Sequence, residues 1–320
     1  MKRQTVNTLL NILAWRSIQA VFVALFVGIV CFFAAQGLGG NMAYRIAGGR
    51  YGIDLMDSST AESVARELGL DRSLWVRLVE WLGDSLTFNF GNSLVSGSPV
   101  IEEVGHTLGH SLTLAGASIV LSVFIAVPLG VLAAKHPNSW FDKTLLFCSV
   151  SLKSVPNFVI GILLVMLFAV QMRLLPAAGH GDFSYLILPT LTLALGLAAV
   201  SVQVVRDSTL GVRNSTYFLF SRIKGLSDAQ TFQRHGWRNL LVPVVAFLGI
   251  QFITIVEGVV VIETLFAWPG IGHSLVHAIF ARDIPIVQGA AVAMGLIFVA
   301  MNALVDIVVL LLDPREGGKS

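Results

Sequence analysis

A chain of 320 residues that is 55% hydrophobic and only 12% charged, with a mean hydropathy of +0.79, carries too little charge to cover a soluble domain of its size. A soluble globular protein is excluded on that ground. The net charge of +2 decides little, because the information lies in where the charges fall.

In chain order, the first apolar run begins near Ile18 behind the basic start MKRQ. No small-residue cleavage site follows it, so it reads as a retained membrane helix rather than a removed signal peptide. A span needs about 20 apolar residues to cross a hydrocarbon core of roughly 30 Å. Six stretches fit: 17–35, 111–134, 145–170, 186–205, 241–264 and 287–312. Lys153 and Pro156 interrupt the third, and Glu257 and Glu263 the fifth. Cys31 and Cys148 both lie in apolar runs and read as buried packing residues, not as a disulfide or a metal pair.

The long segment 36–110 between the first two spans is soluble in character. Thr60 to Leu68 predicts a helix capped by Ser59 or Thr60. Residues 72–86 predict a second, with Leu74, Leu78 and Trp81 on one face and Leu82 beside them. FNFGNSLVSGSPV then marks a loop before the second span. The expected organisation is a cytoplasmic N-terminus and first helix (1–35), an extracytoplasmic subdomain (36–110), a five-helix core (111–312) and a short tail (313–320).

Residues 206–243 depart from the greasy background. Arg206, Arg213, Arg222, Lys224, Arg234 and Arg238 are opposed only by Asp207 and Asp228. Such a basic stretch between two spans belongs on the cytoplasmic side, which together with Lys135, Lys143, Arg315 and Lys319 puts both termini inside. Tyr217 to Ile223 predicts a short helix that Gly225 can stop, and Ser227 can cap a second helix over 228–239. Pro243 is expected where the next membrane helix begins. The loop reads either as a docking element for a cytoplasmic partner or as a basic surface for anionic lipid head groups.

Beyond the fifth span, Trp268-Pro269-Gly270 is a turn signal, and 273–279 predicts a short helix lying in the interface. His106/His110 and His273/His277 have i,i+4 spacing, which puts both rings of a pair on one helix face. Interfacial or capping histidines account for them better than a metal site. No phosphate loop, nucleophile elbow or His-Glu-x-x-His motif occurs, so no catalytic residue is assigned.

Several stretches, in one order, carry a resemblance. Lys224-Gly225-Leu226-Ser227, His235, Arg238-Asn239 and Pro243 form one group. Glu263-Thr264-Leu265-Phe266, Trp268-Pro269-Gly270-Ile271-Gly272, Arg282-Asp283-Ile284-Pro285, Gln288-Gly289, Asn302, Asp306 and Asp313-Pro314-Arg315 form another. Leu70-Asp71-Arg72, Phe90-Gly91-Asn92-Ser93, Pro99-Val100 and Thr113-Leu114 precede them. Together they resemble the permease subunits of bacterial ATP-binding-cassette importers for dipeptides, oligopeptides and nickel.

The resemblance implies an all-α, polytopic fold with six transmembrane helices in the inner membrane. It implies half of a translocation pathway for a peptide, nickel or a metal-chelating metallophore. The partners would be a second homologous permease, two cytoplasmic ATPases that bind MgATP and an extracytoplasmic binding protein. This chain itself would hold no cofactor and no metal, and no nucleic-acid partner is expected. Tyr217, Phe218, Phe220, Arg222, Lys224, Gly225, Leu226, His235, Arg238 and Asn239 would couple to the ATPases, with the aromatics as apolar anchors. Lys153 and Glu257, charges within spans, would line the pathway, unless Lys153 sits at the interface and Glu257 pairs with the second subunit. Glu263, Trp268, Pro269, Gly270, Gly272, Arg282, Asp283, Asn302 and Asp306 would be structural. An ion-coupled secondary transporter acting without ATPases is the alternative.

Overall fold

The computed structural model describes residues 2–37, 62–63 and 73–312; within these, the side chains of 2–5, 35–37, 86, 250, 253–254 and 256–258 lie outside the description. So do the expected helix Thr60–Leu68, the Leu70-Asp71-Arg72 motif and the 313–320 tail. The described elements are helical: α1 (Lys2–Gly37), α2 (Leu74–Leu86), α3 (Val100–Lys135), α4 (Trp140–Ser154), α5 (Asn157–Leu164), α6 (Ser184–Arg213), α7 (Thr216–Ile223), α8 (Asp228–Thr231), α9 (Trp237–Leu265), α10 (Ile271–Ala281) and α11 (Ile284–Leu312). Wider π-type turns, Val165–Gln171 and Phe232–Gly236, follow α5 and α8. The only pairing of extended residues among those described is an isolated bridge between Asn92 and Pro99.

The fold is all-α and polytopic. Four helices, within α1, α3, α6 and α11, are long and apolar enough to cross a membrane, and a fifth span is added if the bent pair 140–154 and 157–171 counts as one. The fifth expected stretch, 241–264, lies within α9, a continuous helix of 29 residues. The third expected span is not a single rod. At its break the two halves turn by 100°. Val155 is extended there, with ψ 127°, and Pro156 precedes α5. The cause is chemical: proline pushes the residue before it out of the helical region. Lys153 is exposed in the last turn of α4, just before this break.

The chain forms two compact units. One contains residues 1–14, 112–268 and 301–320, with α6 and α9 packed along each other and α4 and α5 against α6. Its core gathers Leu114, Leu193, Ile255, Ile262, Phe266 and Trp268. Close approach between helices uses small residues. A Cβ on Gly130 of α3 would fall 2.9 Å from the Val202 carbonyl oxygen of α6, and one on Gly196 would fall 2.3 Å from Asn157 Oδ1. Gln251, 4% exposed, donates to the Leu197 carbonyl at 2.9 Å, fastening α9 to α6 by a side-chain bond.

The other unit contains residues 15–111 and 269–300. Val100, Val104, Ile271, Ala278, Ile286 and Ala290 form its core. Ser73 caps α2, accepting from the Val76 N–H. Leu78 of α2 is buried, and Trp81 lies over Gly28 and packs on Phe32 of α1. Leu74, expected on that inner face, is exposed because it sits in the first turn of the helix. Cys148 is exposed on α4 and Cys31 half-buried, which corrects the expectation that both are buried packing residues. The outward face of α4, where Trp140, Phe147 and Val150 are also exposed, leaves that thiol uncovered by this chain.

Candidate coupling element

The segment between α6 and α9 is built by local backbone chemistry. Asn214 ends α6, and Ser215 is extended ahead of α7. At the far end Gly225 has φ +90°, the left-handed region that glycine reaches at least cost. Its N–H donates to the Arg222 carbonyl at 2.9 Å, and the Leu226 N–H donates to the Ser221 carbonyl at 3.2 Å. This is the paired Schellman closure of a helix. Lys224 lies over the Phe220 ring, 4.6 Å from its centroid, and shields that aromatic from water on one side.

Ser227 then caps α8. Its Oγ accepts from the Gln230 N–H at 3.3 Å, while Gln230 Oε1 accepts from the Ser227 N–H at 3.0 Å. The helix expected over 228–239 is corrected. α8 ends at Thr231, a π-type turn occupies 232–236, and the chain runs on directly into α9. Pro243 is therefore inside α9, not at its start. Leu240 and Val244, packed with Val205 and backed by Val127, Val131 and Phe232, hold the helix together through the proline. The turn has room because residue 236 is glycine: a Cβ there would fall 2.7 Å from Phe232, whose ring stands edge-on to Trp237.

α7 is sorted into two faces. Phe218, 2% exposed, and Ser221 turn inward. Leu219, Phe220 and Ile223 face outward at 59%, 57% and 73% exposure, with Tyr217 at 36%. Phe218 is thus not a free anchor, as expected from sequence, but the foot on which the helix stands. Leu219 and Ile223, one turn apart, are the apolar residues that the aromatic-centred reading missed; period-3.6 spacing with Phe220 was the available signal. Leu226 is half-buried, while Arg222, His235, Arg238 and Asn239 are exposed. Asn239 Nδ2 donates to the His235 carbonyl at 2.8 Å, a local bond from the start of α9 back to the π-type turn.

The remaining expected residues sit elsewhere. Glu263 is fully buried in α9, and its carbonyl accepts from the Trp268 N–H at 2.8 Å. The Trp268 ring stacks edge-on against His180 at 5.2 Å, and the Gly179 N–H donates to the Phe266 carbonyl. Gly270 precedes α10, whose Ile271 N–H donates to Ser111 Oγ at 2.8 Å; Gly272 is buried in its first turn. Arg282 ends α10 in the left-handed region, φ 56°. Asp283, 4% exposed, accepts from the Ser93 hydroxyl, from the Leu94 N–H at 3.1 Å and from the Val95 N–H at 3.3 Å. It organises the 93–95 loop. Asn302 and Asp306 are half-buried, one turn apart on α11. The side chain of Glu257 lies outside the described residues. The His273 and His277 rings lie 4.5 Å apart, those of His106 and His110 6.4 Å. Among the described residues no three His, Cys, Asp or Glu side chains gather into a metal-binding group.

These features define a polytopic α-helical membrane protein that carries a capped helix–turn–helix element between two long helices. Comparison with known proteins narrows the class. Residues 126–317 match the model of the binding-protein-dependent transport system inner membrane component family. A putative peptide transport system permease protein of Brucella abortus (strain 2308) is 36% identical over 308 residues, covering 94% of this chain and 96% of that protein. The glutathione transport system permease protein GsiC of Escherichia coli (strain K12) is 32% identical over 306 residues, covering 96% and 98%. The chain belongs to the binding-protein-dependent inner-membrane component family, as a permease subunit of an ATP-binding-cassette importer of the dipeptide/oligopeptide type. It is a multi-pass inner-membrane protein that works with a substrate-binding protein and ATPase partners. The secondary-transporter reading finds no support in these relatives.

Proposed function

We propose that this permease imports short peptides, glutathione among them, and that α7 is the helix through which it engages its ATPases. The observation that carries the second part is the outward row of Leu219, Phe220 and Ile223 on a helix closed at one end by Gly225 and footed by Phe218. Exposed apolar side chains on a rigid helix suit the buried core of an interface. The names of the relatives support the peptide class; neither of those described above is named for nickel or a metallophore. In the full assembly one copy pairs with a second, homologous permease over two cytoplasmic ATPases. MgATP binds and is hydrolysed on the ATPases, so this chain contributes no catalytic group and no cofactor. Both termini and the 206–243 element lie on the cytoplasmic side, as the clustering of basic residues there supports. Lys153, exposed at the α4–α5 break, and Glu257 are the pathway residues in this reading.

The test is uptake of labelled trialanine and labelled glutathione by cells that lack their own uptake systems and co-express the complex with its binding protein. Wild type accumulates at least one probe, and Leu219→Asp with Ile223→Asp abolishes both accumulation and ATPase recovery on the purified permease. Uptake of neither probe by wild type sinks the peptide reading. ATPases retained by the double variant sink α7 as their docking helix.

A further inference from the structure

The positive charge of 206–243 reads in the sequence as a surface for a partner or for lipid. In the folded chain much of it is engaged by the chain itself. Arg206, 14% exposed at its side chain, grips Asp142, 1% exposed, through Nε at 2.5 Å and Nη2 at 2.7 Å. Asp142 stands in the first turn of α4 and also accepts from the Asn138 N–H at 2.8 Å. Two helical turns further along α6, Arg213 donates from Nη1 to the Ala134 carbonyl at the end of α3, 3.0 Å away. From Nη2 it reaches Asp228, the first residue of α8, at 3.4 Å. Asp228 is held a second time by Arg222 of α7 at 3.1 Å. At the start of α9, Arg238 Nε donates to the Leu312 carbonyl at the end of α11, 3.0 Å away.

Three arginines of one short segment thus take hold of the ends of three different helices. Two of the three grips are on carbonyls of a helix's last turn, where the chain has acceptors without helical partners and a partial negative charge. A buried carboxylate such as Asp142 needs its cation in place. We propose that Arg206, Arg213 and Arg238 are positioning residues that clamp the ends of α4, α3 and α11 to α6 and α9 where these two helices flank the coupling element. A displacement of α7 then moves all three helix ends together. This rests on the reading of α7 as the ATPase-engaging helix.

The experiment uses the full complex of this chain, its second permease and its ATPases in proteoliposomes. It reads MgATP hydrolysis with and without saturating binding protein, and ATPase recovered per permease. Arg213→Gln and Arg238→Gln retain their ATPases, but stimulation by the binding protein falls about five-fold or more. Lys135→Gln, which removes an exposed charge near the same end of α3, keeps full stimulation. Asp142→Arg and Arg206→Asp each lose stimulation, and the two combined regain at least half of it. Full stimulation in both glutamine variants would overturn the clamp. So would loss of the ATPases from Arg213→Gln, which would make that arginine a docking contact. Arg213 and Arg238 are less buried than the Asp142 pair, so their variants decide the question even where a buried-pair variant fails to fold. Failure of the α7 reading shows separately, as ATPases retained by the Leu219→Asp, Ile223→Asp complex.

Discussion

Gly225 has φ +90°, and a Cβ there would meet no atom within 4 Å, so any cost of a side chain comes from the backbone alone. Gly225→Ala should therefore weaken the end of α7 by about 1–2 kcal/mol, and Gly225→Asn by less. Faster hydrogen exchange at the Leu226 amide, which the glycine turn aims at the Ser221 carbonyl, is the measurement. Asp283→Ala removes the acceptor of two buried donors, the Ser93 hydroxyl and the Leu94 N–H, and a loss of about 3 kcal/mol is expected in detergent-solubilised thermal unfolding. Burial, and then the neighbouring His277, hold the His273 imidazole below its ordinary value. Folding thus favours neutral His273; that stability is present above the unfolded value of about 6.5 and lost as pH falls through the lower folded one. The melting temperature of His273→Gln should fall less between pH 7 and pH 5 than that of wild type. Gly225 and Ser227 were legible in the sequence because turn and cap chemistry is written in the residues themselves. Gln230 was equally legible, three residues after Ser227, and was missed. The burial of Phe218 was not, since it depends on how α7 rolls against its neighbours.

At the scale of elements, α7 separates docking from folding. Leu219→Asp and Ile223→Asp should leave thermal stability within about 0.5 kcal/mol of wild type, because both side chains are exposed in this chain. Phe218→Ala should cost about 3 kcal/mol, because it removes the helix's buried foot. Differential scanning of the purified variants, paired with ATPase recovery, reads both. The existence of α2, α7 and α10 followed from pattern and caps. The junction of α8 with α9 did not. Proline is a helix-start signal in sequence, but α9 runs through Pro243, held by Leu240 and Val244 on both sides of it. The wider turn at 232–236 also sets phase: losing one residue there would rotate α9 against α8 by about 100° and carry Arg238 away from the Leu312 carbonyl.

For the whole molecule, composition and span length were enough to predict a polytopic helical protein, and each expected apolar stretch lies in a longer helix or in the bent pair. What they could not give is the course of the third stretch, because hydropathy is blind to direction and a 100° turn leaves it unchanged. That turn has a consequence for parity. Counting from a cytoplasmic N-terminus, α1, α3 and α6 make three crossings before residue 214. If the bent pair dips in and returns, the basic 206–243 segment emerges outside. If it crosses, the count is four and the segment emerges inside. The cytoplasmic placement proposed for that segment and for the N-terminus therefore bears on a backbone bend that lies well upstream of it: that placement requires the pair to cross. A cysteine placed at Arg173, in an otherwise thiol-free chain, should react with a membrane-impermeant maleimide from the outer side, and labelling only from within would mean the bend is a hairpin.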